Sequence, residues 1–288
     1  MKSPWIEAMR LRTLPVSMAG VIAAVGYAAL SPAPKQWVWA GVAMIFALLA
    51  QIASNFANEY FDYRAGIDSA GRQGPTRGVS TGLISPKAML RAAWITLALA
   101  CLVGLTTIVR GGWILLPIGV VIALGAMAYS TGPYPLSRHC LGEVAVILFF
   151  GVVPVCLTFY LLTLTLTWGV VIGSVGIGIM GAMVILCNNY RDIASDRATG
   201  KHTLSTRIGP LGSALLYCAM GQFAALLLAI SAPYHWNFLP IFVALLGFYG
   251  GWLMWQRRMS AEQCTRLLAA TAMALLLLST AFALMALL

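Results

Sequence analysis

Long apolar runs separated by short polar stretches repeat along this chain, and they set the first expectation. A helix needs about 20 mostly apolar residues to cross a bilayer. Nine segments qualify, at about 14–30, 37–57, 88–109, 112–130, 141–163, 165–188, 210–231, 237–256 and 264–287. The pattern predicts an all-α polytopic membrane protein with nine transmembrane helices. Most polar residues fall in the connections after segments two, four, six and eight, whereas the other connections are short and nearly uncharged.

Composition agrees with this reading and removes its competitors. Of the 288 residues 60% are hydrophobic and 9% charged, against about 25% charged in a soluble domain; the mean hydropathy is +0.87. Such a chain cannot cover itself with a solvated surface, which excludes a secreted disulfide scaffold, a disordered protein and a cytosolic enzyme. The six cysteines are scattered, mostly inside apolar runs, with no paired spacing, so they read as core residues rather than as a disulfide framework or a zinc site. The net charge of +10 reads as membrane topology and implies no nucleic-acid partner. With a cytoplasmic N-terminus, 16 of the 18 Lys and Arg lie in inside segments and only Lys35 and Arg110 outside. That bias is what orients helices in a bilayer. Residues 1–288 therefore form a single transmembrane domain, with polar loops at about 58–87 and 188–209 on the cytoplasmic side.

The acids carry the chemistry. There are eight, and all four aspartates lie in two segments: Asp62 and Asp68 after helix two, Asp192 and Asp196 after helix six. An aspartate at mid-membrane costs roughly 2.5–3.5 kcal/mol on insertion scales, so a chain this sparing with charge has a use for four of them. The segments also resemble each other. Asn58-Glu59-Tyr60-Phe61-Asp62 and Asn188-Asn189-Tyr190-Arg191-Asp192 share Asn-x-Tyr-x-Asp, 130 residues apart, on helices four apart in order. Two related four-helix halves plus one further helix follow, each half offering an acidic helix end at the same depth.

Residues four apart share a helical face, which stacks Asn58 with Asp62, and Asn188 with Asp192 and Asp196. Asp68 returns to that face only if the helix breaks near Gly66. Carboxylates and carboxamides facing each other make an all-oxygen set suited to Mg²⁺, which takes one or two carboxylates, water and substrate phosphate. The candidate metal ligands are Asn58, Asp62, Asp68, Asp192 and Asp196, with Asp62, Asp192 and Asp196 as the catalytic core. Bases surround them: Arg72, Arg77, Arg191, Arg197, Lys201 and Arg207. Acid and base together suit a metal-bridged diphosphate. Arg77 and Lys201, each beside a glycine, are assigned to the substrate with Asn58, Asn188 and Arg191; Arg64, Lys87 and Arg91 are plain inside charges. Glu143 opens helix five, either as a capping or interhelical hydrogen-bonding acid or as a partner for the acceptor or an Arg.

These stretches carry a family resemblance. The chain resembles the UbiA superfamily of intramembrane aromatic prenyltransferases. Within it, the chain is most similar to the 1,4-dihydroxy-2-naphthoate polyprenyltransferases of menaquinone biosynthesis. The matching residues are Arg12-Thr13-Leu14-Pro15, the run from Asn58 to Asp68, Gly74-Pro75-Thr76-Arg77-Gly78, Tyr129 to Leu136, Gly142-Glu143, and Asn188 to Leu204, in family order. Glu59 stands where many relatives carry Asp, and Ser137-Arg138-His139-Cys140 departs from their usual turn. The resemblance implies nine helices, Mg²⁺ as cofactor, a polyprenyl diphosphate with its tail in membrane lipid, an aromatic acid acceptor, and a place in the cytoplasmic (inner) membrane. A secondary transporter, suggested by the repeat, is the rival of another class. The clustering of acids with arginines at cytoplasmic helix ends counts against it.

Overall fold

The computed structural model describes residues 3–68, 77–232, 238–256 and 259–288. Nine apolar helices dominate it: α1 (Leu14–Leu30), α2 (Val38–Arg64), α3 (Pro86–Thr106), α4 (Leu115–Ala128), α5 (Gly142–Thr163), α6 (Trp168–Arg191), α7 (Leu204–Ser231), α8 (Phe238–Trp255) and α9 (Ala261–Leu287). Seven of them are long and apolar enough to cross a membrane, while α1 and α4 are shorter apolar helices. The molecule is a multi-pass membrane protein. Among the described residues the one extended pairing is an isolated bridge between His139 and His202, and all six cysteines are free.

The apolar pattern located each helix, but several ends moved. Helix α2 runs on to Arg64, so Asn58 to Asp62 lie in its last turns rather than in a loop. Helix α7 starts at Leu204, earlier than the 210 expected, because Thr203 and Thr206 form a reciprocal cap; Gly209, at φ +71°, then lets the helix kink ahead of Pro210. Helix α4 is shorter than its apolar run, and Ile108–Gly111 makes a separate turn before it. An unexpected short helix, Pro4–Ala8, precedes α1.

Helix α6 is the axis of the bundle. Of its central window 78% is buried, against 17% for α3 with its continuation to Gly111, so α3 presents most of its surface outward. Helix α6 packs on α5, α7 and α9, and α1 packs on α2, α5 and α9. The α1–α2–α3 run of neighbours is repeated by α5–α6–α7. Small residues allow the closest crossing, since membrane helices associate by tight packing rather than by a hydrophobic drive. A Cβ on Gly151 would sit 2.3 Å from the Gly178 Cα. This contact lies in a π-helical stretch of α5, Ile147–Val152, and it holds the start of α5 beside the functional end of α6.

Candidate active site

The first acidic cluster forms where α2 ends. Asn58 and Asp62 face inward one turn apart, both buried. After Arg64 the chain reverses through Gly66 at φ +70°, and the Ile67 amide donates to the Asp62 carbonyl at 3.0 Å. This turn returns Asp68, as the sequence required. Arg77 then sits among the acids, 3.6 Å from Asp68, 3.7 Å from Asp62 and 3.9 Å from Glu59, and it donates to Asn58 Oδ1 at 3.2 Å. Its Nε and Nη1 are buried with no hydrogen-bond partner among the described residues. A buried guanidinium with donors to spare suits an incoming anion. Glu59 holds the loop in place by accepting from the Val79 amide at 3.1 Å.

Two further cations reach this cluster from elsewhere in the chain. Arg138 donates to Asp62 Oδ1 and to the Phe61 carbonyl, both at 3.1 Å. Arg10 donates to Asn58 Oδ1. The Arg10 backbone lies in the left-handed region at φ +54°, which a non-glycine residue adopts only when its surroundings hold it there. A buried ladder does so. Ser17 donates to Gln51, Gln51 to Thr13 and Asn55, and Asn55 to the Met9 carbonyl at 2.9 Å.

The second cluster is built within one segment. Helix α6 ends at Arg191, Asp192 caps it, and a short helix, Ile193–Ala198, carries Asp196. The Arg191 guanidinium grips both oxygens of Asp192 at 2.7 Å and reaches Asn188 Oδ1 at 2.8 Å. Gly200, at φ +70°, reverses the chain, so that the Lys201 amide donates to the Asp196 carbonyl at 2.8 Å. Lys201 Nζ lies 3.4 Å from Asp196 Oδ1, and Asp196 Oδ2 has no hydrogen-bond partner among the described residues. Burial pushes the Asp196 carboxyl above its ordinary range; Lys201 opposes the rise and Asp192 adds to it. The Cys140 amide donates to the His202 carbonyl at 3.0 Å, which straps the Arg138 loop to the Lys201 loop.

Both clusters open on one pocket of about 160 Å³, lined by Asn58, Asp62, Asp68, Arg77, Asn188, Asp192, Asp196 and Lys201 among others. A second cavity of about 540 Å³, walled by apolar residues of α2 to α5, shares Gln51, Ser54, Tyr129 and Phe150 with it. The two spaces thus adjoin, a polar pocket beside an apolar cavity with those four residues common to both walls. The donor set facing the pocket is all oxygen, which fits a hard divalent cation. Among the described residues no three acidic, histidine or cysteine side chains are gathered closely enough to hold a metal by themselves. A cation here would therefore complete its shell with substrate oxygens, as Mg²⁺ commonly does.

The structure brings together every sequence-assigned residue but one. Arg191 does not line the pocket; it stands behind Asp192 as that carboxylate's partner, with its Nη1 on Thr265 Oγ1 at 3.2 Å. Arg72 and Gly74-Pro75-Thr76 lie outside the described residues. Sequence reasoning missed Arg10 and Arg138. The only signals were two arginines ahead of α1, of which Arg12 is exposed, and one lone inside cation in the loop after α4.

The comparisons with known proteins agree with this geometry. Over 82% of its length the chain is 33% identical to the 1,4-dihydroxy-2-naphthoate octaprenyltransferase of Escherichia coli, covering 80% of that protein. The protein of the same name from Mycobacterium tuberculosis is 35% identical, over 77% of this chain and 76% of its own. The fold matches a UbiA homolog from Archaeoglobus fulgidus bound to DMAPP and Mg²⁺, with a TM-score of 0.74, 99% of both chains covered and 12% identity. The profile of the UbiA prenyltransferase family matches residues 19–278. With its paired acidic helix ends opening on one pocket beside an apolar cavity, this chain belongs to the UbiA prenyltransferase family and is a prenyltransferase.

Proposed function

We propose that the protein transfers a polyprenyl chain from its diphosphate to 1,4-dihydroxy-2-naphthoate, with Mg²⁺ and with loss of CO₂, giving the quinol form of demethylmenaquinone. One observation carries the reading: the pocket of aspartates and cations adjoins an apolar cavity of about 540 Å³. That shape suits an amphiphile with an anionic head and a hydrocarbon tail. The names of relatives at 33% and 35% identity support the naphthoate as acceptor. Several cavity-wall residues are also exposed on the outer surface, Trp94 and Leu105 on α3 and Val120 and Leu124 on α4, so a long tail leaves the cavity between these helices into membrane lipid.

The residues divide the work. Asn58, Asp62 and Asp68 on one side, with Asp192 and Asp196 on the other, would hold the metal. When bound, Mg²⁺ draws charge from the leaving diphosphate. Arg77 and Lys201 pair the remaining diphosphate oxygens, Asn188 supports them, and Arg191 keeps Asp192 in place. The C–O bond of the prenyl diphosphate breaks, and an electron-rich ring carbon forms the new C–C bond. That carbon bears the carboxylate, so the C–C bond to it breaks, CO₂ departs, and the bonding electron pair stays behind to neutralise the ring's positive charge; no strong base is needed there. The apolar walls keep water from the allylic cation. All nine helices cross the cytoplasmic membrane, with the N-terminus and the acidic loops on the cytoplasmic side. The test is to incubate purified protein with Mg²⁺, a polyprenyl diphosphate and a panel of aromatic acids, and to identify products by mass. A prenylated naphthoate product lighter by one CO₂ is expected. Turnover confined to another aromatic acid would replace the naphthoate as acceptor, and no turnover on any would sink the reading.

A further inference from the structure

One pair, Asn189 on the pocket wall and Glu143 behind it, is not used by the chemistry above. Glu143, in the first turn of α5, is 5% exposed, and its Oε1 accepts from Asn189 Nδ2 at 2.8 Å. The Glu143 Oε2 is buried and has no hydrogen-bond partner among the described residues. Asn189 is itself buried yet lines the pocket. A carboxamide can be turned either way, but here only one orientation is tolerable. A flipped Asn189 would press its carbonyl oxygen against a buried carboxylate, so Glu143 fixes the NH₂ on its own side and leaves Oδ1 for the pocket. Among the described residues no hydrogen bond reaches that Oδ1.

A carbonyl oxygen open on the pocket is placed to accept from a bound donor. The ionised diphosphate has none to offer, and neither does an isoprenoid tail. A hydroxylated aromatic ring does. The first half of the molecule shows the contrast at the matching motif position, where Glu59 turns to the Val79 amide instead. Asn189 also shares its pocket with Tyr129, one of the residues at which the polar and apolar spaces meet. We propose that Asn189 Oδ1 accepts the phenolic hydroxyl of the aromatic acceptor, and that Glu143 is the positioning residue which holds the amide for it. This rests on the acceptor reading above and makes Asn189 a specificity-determining residue.

The experiment measures KM for both substrates, with Mg²⁺, for the wild type, Asn189→Leu, Glu143→Ala and Glu143→Gln. The acceptors are 1,4-dihydroxy-2-naphthoate and its two mono-O-methyl ethers. Wild-type turnover on the dihydroxy acid comes first; its absence sinks the acceptor reading, whereas the outcomes below bear on this site alone. In the wild type one ether should be about tenfold worse than the other, because it leaves the Asn189 oxygen without a donor. Asn189→Leu should raise the acceptor KM about tenfold, leave the prenyl diphosphate KM within about twofold, and abolish the difference between the ethers. Glu143→Ala should move in the same direction, and Glu143→Gln, which still offers Oε1 to Asn189, should recover most of the loss. A wild type indifferent to the two ethers would overturn the proposal without any variant having to fold. So would an Asn189→Leu enzyme that still discriminates between them, a Glu143→Gln as impaired as Glu143→Ala, or a rise confined to the prenyl diphosphate.

Discussion

The two acidic helix ends share a motif and solve the same electrostatic problem in opposite ways. In the second half Asp192 is gripped by its sequence neighbour Arg191, and Asp196 meets Lys201 five residues on. Everything the second cluster needs lies within one short stretch. In the first half the place of Arg191 is taken by Phe61, and Asp62 depends on Arg77 and Arg138, which arrive from separate loops. The second cluster is preassembled by local sequence, and the first is assembled by tertiary structure. Buried charge requires a partner, but the partner's origin decides how rigid the site is. The Arg77 guanidinium, 3.6–3.9 Å from three carboxylates, is held less tightly than the Arg191 guanidinium, 2.7 Å from Asp192.

The largest effects should come from removing either half's central carboxylate. Asp62→Asn and Asp192→Asn should each lower turnover by about 100-fold or more, since a carboxylate that would hold the leaving group's metal is lost. Chelation with EDTA should abolish turnover in the wild type, and Mg²⁺ should restore it. Full activity in either variant would remove that aspartate from the site and leave the halves functionally unequal.

Next come the cations that face the pocket. Arg77→Lys keeps the charge but loses the fork that matches phosphate oxygens, so the apparent KM for prenyl diphosphate should rise about tenfold with the acceptor KM nearly unchanged. Lys201→Ala should act in the same direction. A rise confined to the acceptor KM in either variant would move that residue to the acceptor's side of the pocket.

The contrast also shows what could be read from the chain and what could not. Apolar periodicity located α1 to α9, and the Asn-x-Tyr-x-Asp repeat identified the two helix ends, because helical spacing alone stacks Asn58 on Asp62 and Asn188 on Asp192. Gly66 announced the turn that returns Asp68. Partners supplied from a distance were not legible. Arg138 lies 76 residues from Asp62, and nothing local marks it. Arg10 depends on a left-handed backbone imposed by Gln51 and Asn55, residues on another helix. The place of Arg191 behind Asp192 was not legible for the opposite reason: its neighbours are acids, and spacing cannot tell a guanidinium that lines a pocket from one that restrains a carboxylate.

A stability comparison separates the two modes of pairing. The Arg191–Asp192 pair is almost wholly enclosed, with side-chain exposures of 2% and 5%. Arg191→Ala leaves a buried carboxylate unpaired and should cost about 3 kcal/mol, seen as a lower melting temperature in detergent. Arg138 is 20% exposed, and when it is removed Asp62 keeps Arg77 3.7 Å away, so Arg138→Ala should cost about 1 kcal/mol or less. Equal losses would mean that the first half is as rigidly paired as the second.

The smallest expected difference tests the tyrosine that both motifs share. Tyr190 donates from its hydroxyl to the Met254 carbonyl at 2.9 Å, which ties the end of α6 to α8. Its counterpart Tyr60 only accepts from Arg64 at 3.3 Å on the exposed side of α2. A hydroxyl bonded to a backbone carbonyl contributes about 1 kcal/mol, and an exposed contact to a long, mobile side chain contributes almost nothing. Tyr190→Phe should therefore lower the melting temperature measurably, while Tyr60→Phe should leave it unchanged within error. Neither hydroxyl lies on the pocket wall, so both KM values should stay at the wild-type level in both variants. If Tyr60→Phe proved the more damaging, the first helix end would have an anchor that its hydrogen bonds do not reveal. The division between a self-contained second half and a loop-assembled first half would then fail.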